Sequence, residues 1–231
     1  MKKVLITQSN YIPWKGYFDA INMVDEFVIY DDMQYTKRDW RNRNKIKTTY
    51  GLQWITIPVE VKGKFFQKIN ETKVSSISWR EDHWKNIQNS YSKAKYFKFY
   101  KPFFEELYLN CSETLLSKIN YRFLNAICEL LNINTKITWS SDYEIKGDKT
   151  EKLVNICLEA NANTYFTGPA AKNYLNVDLF QKNGISVEWL DYSGYKEYEQ
   201  LYPPFDHAVS IIDLILSVGP QAKNYLKSFN L

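Results

Sequence analysis

The sequence predicts an α/β fold with a mostly parallel sheet and a mainly helical insertion at about residues 79–132, all within a single domain over residues 1–231. Three observations predict it. Short apolar runs rich in β-branched and aromatic residues recur along the chain, segments of helical periodicity lie between them, and the middle of the chain is helical in period alone.

The elements follow in order. "KVLIT" (3–7) reads as the first strand, and "KGYFDAINMV" behind it repeats Phe18, Ile21 and Val24 at helical spacing. "EFVIYD" (26–31) is the second strand, and "QWITIPVEV" (53–61) a short β excursion. Two amphipathic helices then make up the insertion. "WREDHWKNIQNSYSKA" aligns Trp84, Ile87 and Tyr91; "SETLLSKINYRFLNAICELLN" aligns Leu116, Ile119, Phe123, Ile127 and Leu130, with Ser112 placed to cap its start. The sheet resumes with "KITWS" (136–140), "TYFTG" (164–168) and "ISVEWLDY" (185–192), and "TEKLVNICLEANA" supplies a helix with Leu153, Cys157 and Ala160 on one face.

At 231 residues and 45% apolar side chains the chain can bury a full core, so disorder is not expected. No apolar run is long enough to span a membrane, and "MKKVLITQSNY" turns polar too soon for a signal peptide, which points to the cytoplasm. Cys111, Cys128 and Cys157 lack CxxC spacing and sit in apolar helical contexts, so they read as core thiols. His83 and His207 stand apart, leaving no transition-metal set. Asp213, inside "SIIDLILSVG", needs a buried partner, for which an arginine is the candidate.

A formal charge of +4 is modest, but Lys37, Arg38, Arg41, Arg43, Lys45 and Lys47 cluster directly behind the second strand. In open α/β sheets ligands bind beyond the carboxyl ends of the strands, so the residues after each strand form one rim: Thr7 and Gln8, Asp31 and Asp32, Ser140 and Ser141, Thr167 and Gly168, Asp191 and Tyr192. The basic run therefore sits where an anionic ligand would bind, although a solvated loop is the plain alternative. Arg41 and Arg43 offer planar forks for phosphate, and Lys37 a point charge. At the first strand-to-helix turn Tyr11, Trp14, Tyr17 and Phe18 around Pro13 and Gly16 read as a hydrophobic staple at the helix entry, or as a turn where Gln8, Tyr11, Gly16 and Tyr17 shape a pocket and Gly16 admits a ligand to the helix N-terminus. Asp31 and Asp32 read as turn caps, or as a base or Mg²⁺ ligands. Tyr35 and Trp40 lie within the basic run, and Lys149 lies near a helix start. His83 is read as packing first and as a base second.

Together "QSNYIPWKGYF", "FVIYDDMQYTKRDWRNRNKIK", "HWKNIQNSY", "TYFTGPAAKNYL" and "SIIDLILSVG" resemble the WbqC-like family of bacterial proteins over nearly the whole chain. The resemblance implies a place in O-antigen or related surface-polysaccharide biosynthesis and transfer of glycine or another small acyl group to an amino sugar. A more remote resemblance in layout is to nucleotidyltransferase-like, Rossmann-like enzymes that include pantothenate synthetase. Their HxGH motif is here Trp14, Lys15, Gly16 and Tyr17: the glycine is kept and both histidines are replaced.

The resulting expectation is an amino-sugar acyltransferase or amide-forming ligase acting on a nucleotide-linked sugar. Its catalytic candidates are Asp31, Asp32, Tyr35, Lys37 and His83. The binding candidates are Gln8, Tyr11, Trp14, Gly16, Tyr17, Trp40, Arg41, Arg43, Lys149, Gly168 and Tyr174. ATP and Mg²⁺ are the candidate cofactors, and no resident metal site is assigned. A non-catalytic module for a nucleotide-sugar or RNA, or a glycosyltransferase of the same pathway, are the alternatives; a small-molecule substrate ranks above nucleic acid.

Overall fold

Parallel strands are buried on both faces and need helices on each, and the chain meets that demand with three layers. The computed structural model describes residues 1–230. Its elements run β1 (Lys3–Thr7), α1 (Lys15–Asn22), β2 (Glu26–Ile29), β3 (Arg43–Thr48), β4 (Gly51–Thr56), α2 (Trp79–Tyr91), α3 (Phe97–Leu109), α4 (Leu116–Leu130), β5 (Lys136–Trp139), α5 (Lys149–Glu159), β6 (Thr164–Thr167), α6 (Val177–Lys182), β7 (Ser186–Trp189) and α7 (Ile211–Val218).

The five strands placed in the sheet by the sequence pair in the order β5-β2-β1-β6-β7, every neighbour parallel. Leu5, Phe27 and Ile29 point into a core shared with α1, the helical block and α7; Val4, Ile6, Val28 and Tyr30 point into a second core under α5 and α6. The chain thus crosses one face of the sheet, then the other. The strand order reverses between β1 and β6, and that reversal opens a crevice at their carboxyl ends.

The crossover from β2 to β5 carries the β3–β4 hairpin and helices α2 to α4. Its interior is aromatic: Trp79, Tyr91, Phe104, Tyr108 and Phe123 are all but fully buried. Three boundaries differ from the sequence reading. The basic run is no free loop, because Arg43–Thr48 pairs antiparallel with β4. Helix α3 runs through Pro102, and α4 begins at Leu116, since the residues that include Ser112 run extended beside another segment, with Val74 N–H bonded to Thr114 O (2.9 Å) and Leu116 N–H to Thr72 O (2.8 Å). Strand β4 ends at Thr56, short of residue 61.

Buried charges are individually partnered. Asp213 is held by tyrosines where an arginine was expected: Tyr91 and Tyr198 donate to it at 2.9 and 2.7 Å. Glu26, at the start of β2, takes Lys2 at 2.6 Å, Thr138 at 2.8 Å and the Tyr143 hydroxyl. Cys111, Cys128 and Cys157 are free and buried. Among the described residues no helix is long and apolar enough to cross a membrane.

Burial pushes the Glu26 carboxyl up, but bonds from Lys2, Tyr143 and Thr138 outweigh it and hold it at about 2. A depressed carboxyl contributes stability that is present above its unfolded value of about 4.5 and lost as pH falls through about 2. The stability gap between wild type and Glu26→Gln should therefore shrink as pH drops across that window. Urea melts at stepped pH measure it; a gap that does not change with pH contradicts the assignment.

Candidate functional site

The crevice between β1 and β6 is a cleft of about 580 Å³. Gln8 follows β1 and Gly168 follows β6, as the strand-end rule requires. Trp14 and Tyr17 from the start of α1 form one wall with Tyr192, and Tyr174 faces it from the segment after β6. Lys149 and Lys152, three residues apart on α5 and so on one helix face, stand over the cleft, and Arg41 enters from the loop before β3.

Hydrogen bonds fix this wall. Tyr17 donates its hydroxyl to Gln8 O at 2.8 Å. Arg41 donates to the carbonyls of Gln8 and Ser9, both at 3.3 Å, and to Asn10 Oδ1, while its Nε lies 3.8 Å from Asp39. Gly16 does not expose the helix amides to a ligand: a Cβ there would lie 2.2 Å from the Trp14 indole, so the missing side chain lets Trp14 lie against α1 and wall the cleft.

A second cavity of about 420 Å³ shares Asn10, Trp14 and Tyr192 with the first and is completed by Pro13, Trp40, Asn44, His207 and Ala208. The two form one groove. His207 is half-buried against Phe205, ring centroids 4.6 Å apart, with Nδ1 buried and without a partner among the described residues. Burial, then the positive charge of Lys15, lowers its pKa, so the imidazole is neutral at pH 7. Lys15 itself is enclosed, its ammonium 5.1 to 5.9 Å from the rings of Tyr195, Tyr198, Phe205 and Tyr225 and bonded to Lys196 O at 2.6 Å.

Of the residues proposed from sequence, Gln8, Trp14, Tyr17, Arg41, Lys149, Gly168 and Tyr174 line the first cavity, and Trp40 the second. The others lie elsewhere. Tyr35, Lys37 and Arg43 border a separate shallow hollow of about 220 Å³, with Arg43 stacked 4.1 Å over Trp54. Tyr11 and His83 are core residues: they bond each other at 2.9 Å, and burial pushes His83 down to about 4, too weak a base to hold a proton at neutrality.

Asp31 and Asp32 do not face the groove as base or Mg²⁺ ligands, because their oxygens are bonded within the fold. Asp31, 1% exposed, accepts from Ser9 N (2.8 Å), Ser9 Oγ (2.6 Å) and the Ser117 hydroxyl; Asp32 accepts from Asn70 (3.0 Å) and the Ser140 hydroxyl. Among the described residues no carboxylate lines either cavity, and no cluster of His, Cys, Asp and Glu suited to a metal occurs. Sequence reasoning missed Lys152, Asn10 and His207. Lys152 was legible as the helical neighbour of Lys149; His207 carries no local signal, since residues 190–210 contain no regular element.

Comparison with known proteins places the chain. The profile of the WbqC-like protein family matches residues 8–225. The uncharacterized protein Rv1507c of Mycobacterium tuberculosis is 52% identical over 227 residues, 98% of each chain. No solved structure matches.

Gly16→Ala should displace the Trp14 indole from α1, with a cost of about 1 to 3 kcal/mol for overpacking. Tryptophan emission and the near-ultraviolet circular dichroism band should change together with a lowered melting temperature. Unaltered spectra and stability would mean that the indole does not depend on the glycine.

Proposed function

This chain belongs to the WbqC-like protein family, and on that premise we propose that it transfers a small acyl group, glycyl among the candidates, to the amine of a nucleotide-linked amino sugar in surface-polysaccharide biosynthesis. The observation that carries the reading is the character of the groove: aromatic rings and three cations, with no carboxylate among the described residues, at the reversal point of a parallel sheet. A nucleoside diphosphate is planar at one end and doubly charged in the middle. Trp14, Tyr174 and Tyr192 offer faces for the ring systems, and Lys149, Lys152 and the free N–H groups of Arg41 offer charge-assisted bonds to the diphosphate.

The sugar end then reaches the second cavity, where Asn10 and Asn44 supply amide groups and His207 a neutral imidazole. The amine nitrogen attacks the acyl carbon, the C–N bond forms, and the bond from that carbon to its leaving group breaks with its electron pair. His207 takes the proton that the amine must lose. The described residues do not fit a protein-held Mg²⁺, because none of them brings a carboxylate to the groove, so no step runs through a metal. In this reading the donor arrives already activated on a carrier, in preference to activation by ATP in the same site.

Two measurements test the reading. Arg41→Ala and the pair Lys149→Ala with Lys152→Ala should each weaken calorimetric binding of a nucleoside-diphosphate amino sugar by on the order of tenfold or more, as loss of charge-assisted bonds predicts. His207→Ala should leave that affinity intact and abolish most N-acylated product, read by mass spectrometry against preactivated acyl donors and, separately, against glycine with ATP and Mg²⁺. Product only with ATP overturns the preactivated donor; binding with no product from any donor leaves a binding module.

A further inference from the structure

Phe65 and Phe66, in the turn that follows β4, are 72% and 83% exposed, with ring centroids 5.0 Å apart edge to face. The turn holding them out is well bonded. Lys64 N–H reaches Val61 O and Gln67 N–H reaches Lys64 O, both at 3.3 Å, while Gln34 donates to Phe65 O at 2.8 Å and Gln67 to Glu60 O at 2.7 Å. Two adjacent rings fixed in water by an ordered backbone are an unsatisfied apolar wedge.

Charge surrounds that wedge. Lys62, Lys64 and Lys68 flank the rings within the turn and are exposed. The bridge between Gln34 and Lys68, with Tyr35 N–H bonded to Gln67 O at 2.9 Å, brings the exposed Lys37 and Arg38 alongside; Lys73 lies beside Glu60, whose N–H bonds Lys73 O at 2.9 Å. Carboxylates are fewer there: Glu60 pairs with Lys64, Glu71 accepts Lys68 N–H at 2.9 Å, and Asp39 accepts the Thr36 hydroxyl and Trp40 N–H, both at 2.7 Å, so the six cations outnumber the three acids and the face is net positive.

We propose that this face docks the protein on an anionic lipid surface, with Phe65 and Phe66 entering the boundary between headgroups and acyl chains and the lysines and Arg38 at the level of the lipid phosphates. Charge complementarity selects this occupant. A second copy meeting the face about a two-fold axis would set the same cations against each other, and the buried centres of protein interfaces are poor in lysine. A membrane surface takes both features at once: apolar rings partition into the boundary while basic residues add attraction to acidic headgroups. The inference is independent of the chemistry proposed for the groove.

Co-sedimentation with vesicles tests it. Wild type should pellet with phosphatidylcholine vesicles that contain phosphatidylglycerol, weakly with phosphatidylcholine alone, and be released by salt. Phe65→Ser with Phe66→Ser should lower the partition by on the order of tenfold or more while leaving melting temperature and substrate binding unchanged, because both rings are exposed. Lys62→Gln with Lys64→Gln and Lys68→Gln should remove the preference for phosphatidylglycerol. Equal pelleting of wild type and the phenylalanine variant, no pelleting of wild type, or a wild-type dimer that the phenylalanine variant dissociates would each overturn the proposal.

Discussion

Asp31, at the end of β2, accepts hydrogen bonds from the backbone and hydroxyl of Ser9 after β1 and from the hydroxyl of Ser117 on α4. One turn further along α4, Asn120 donates to Ser9 Oγ and to Arg41 O, both at 2.9 Å. This buried network joins three separate parts of the chain: the β1–α1 turn, the helical block, and the loop that carries Arg41. Burial raises the Asp31 carboxyl and the bonds from Ser117 and Ser9 oppose it, so the group is stable there only while its donors stay in place. A residue that looks catalytic by position is instead the brace on which the groove's wall depends.

From that brace the chemistry of the groove follows. Arg41 is held with its guanidinium against Gln8, Ser9 and Asn10, which fixes one cation beside the end of β1. The opposing cations come from α5, whose first amides are capped by its own Asp148, accepting from Thr150 N–H at 2.8 Å and Glu151 N–H at 2.9 Å. Positive charge at that rim therefore comes from Lys149 and Lys152 rather than from open helix amides. The sheet reversal brings the two sides together, so neither segment makes the site by itself.

The sheet was legible because each of its strands is a run rich in β-branched and aromatic residues, buried through the three central strands, and the rule for strand ends then found Gln8 and Gly168, while Arg41 came from the basic run behind β2. Strand β3 was not, since "RNKIKT" holds one apolar residue, and what buries it is tertiary: Asn44 donates to Tyr11 O and Ile12 O at 3.0 and 2.9 Å, and Lys47 to the carbonyls of Tyr202 and Pro204. Part of the basic cluster was thereby misread. Lys47 became a buried strut and Arg43 a stacking partner of Trp54, leaving Arg41 to serve the cleft. The direction of Asp31 could not be read either, because Ser9 and Ser117 are far from it in sequence and only the packed helical block brings them near.

The account stands on the groove being the place where an anionic, partly planar ligand binds. Determining a crystal structure of the protein with a nucleoside-diphosphate amino sugar tests that most directly. The account predicts the diphosphate within hydrogen-bonding distance of Arg41 and of Lys149 or Lys152, a ring against Trp14 or Tyr192, and the sugar amine toward His207. A ligand seated instead in the hollow beside Tyr35 and Arg43, with the cleft between β1 and β6 empty, would contradict it.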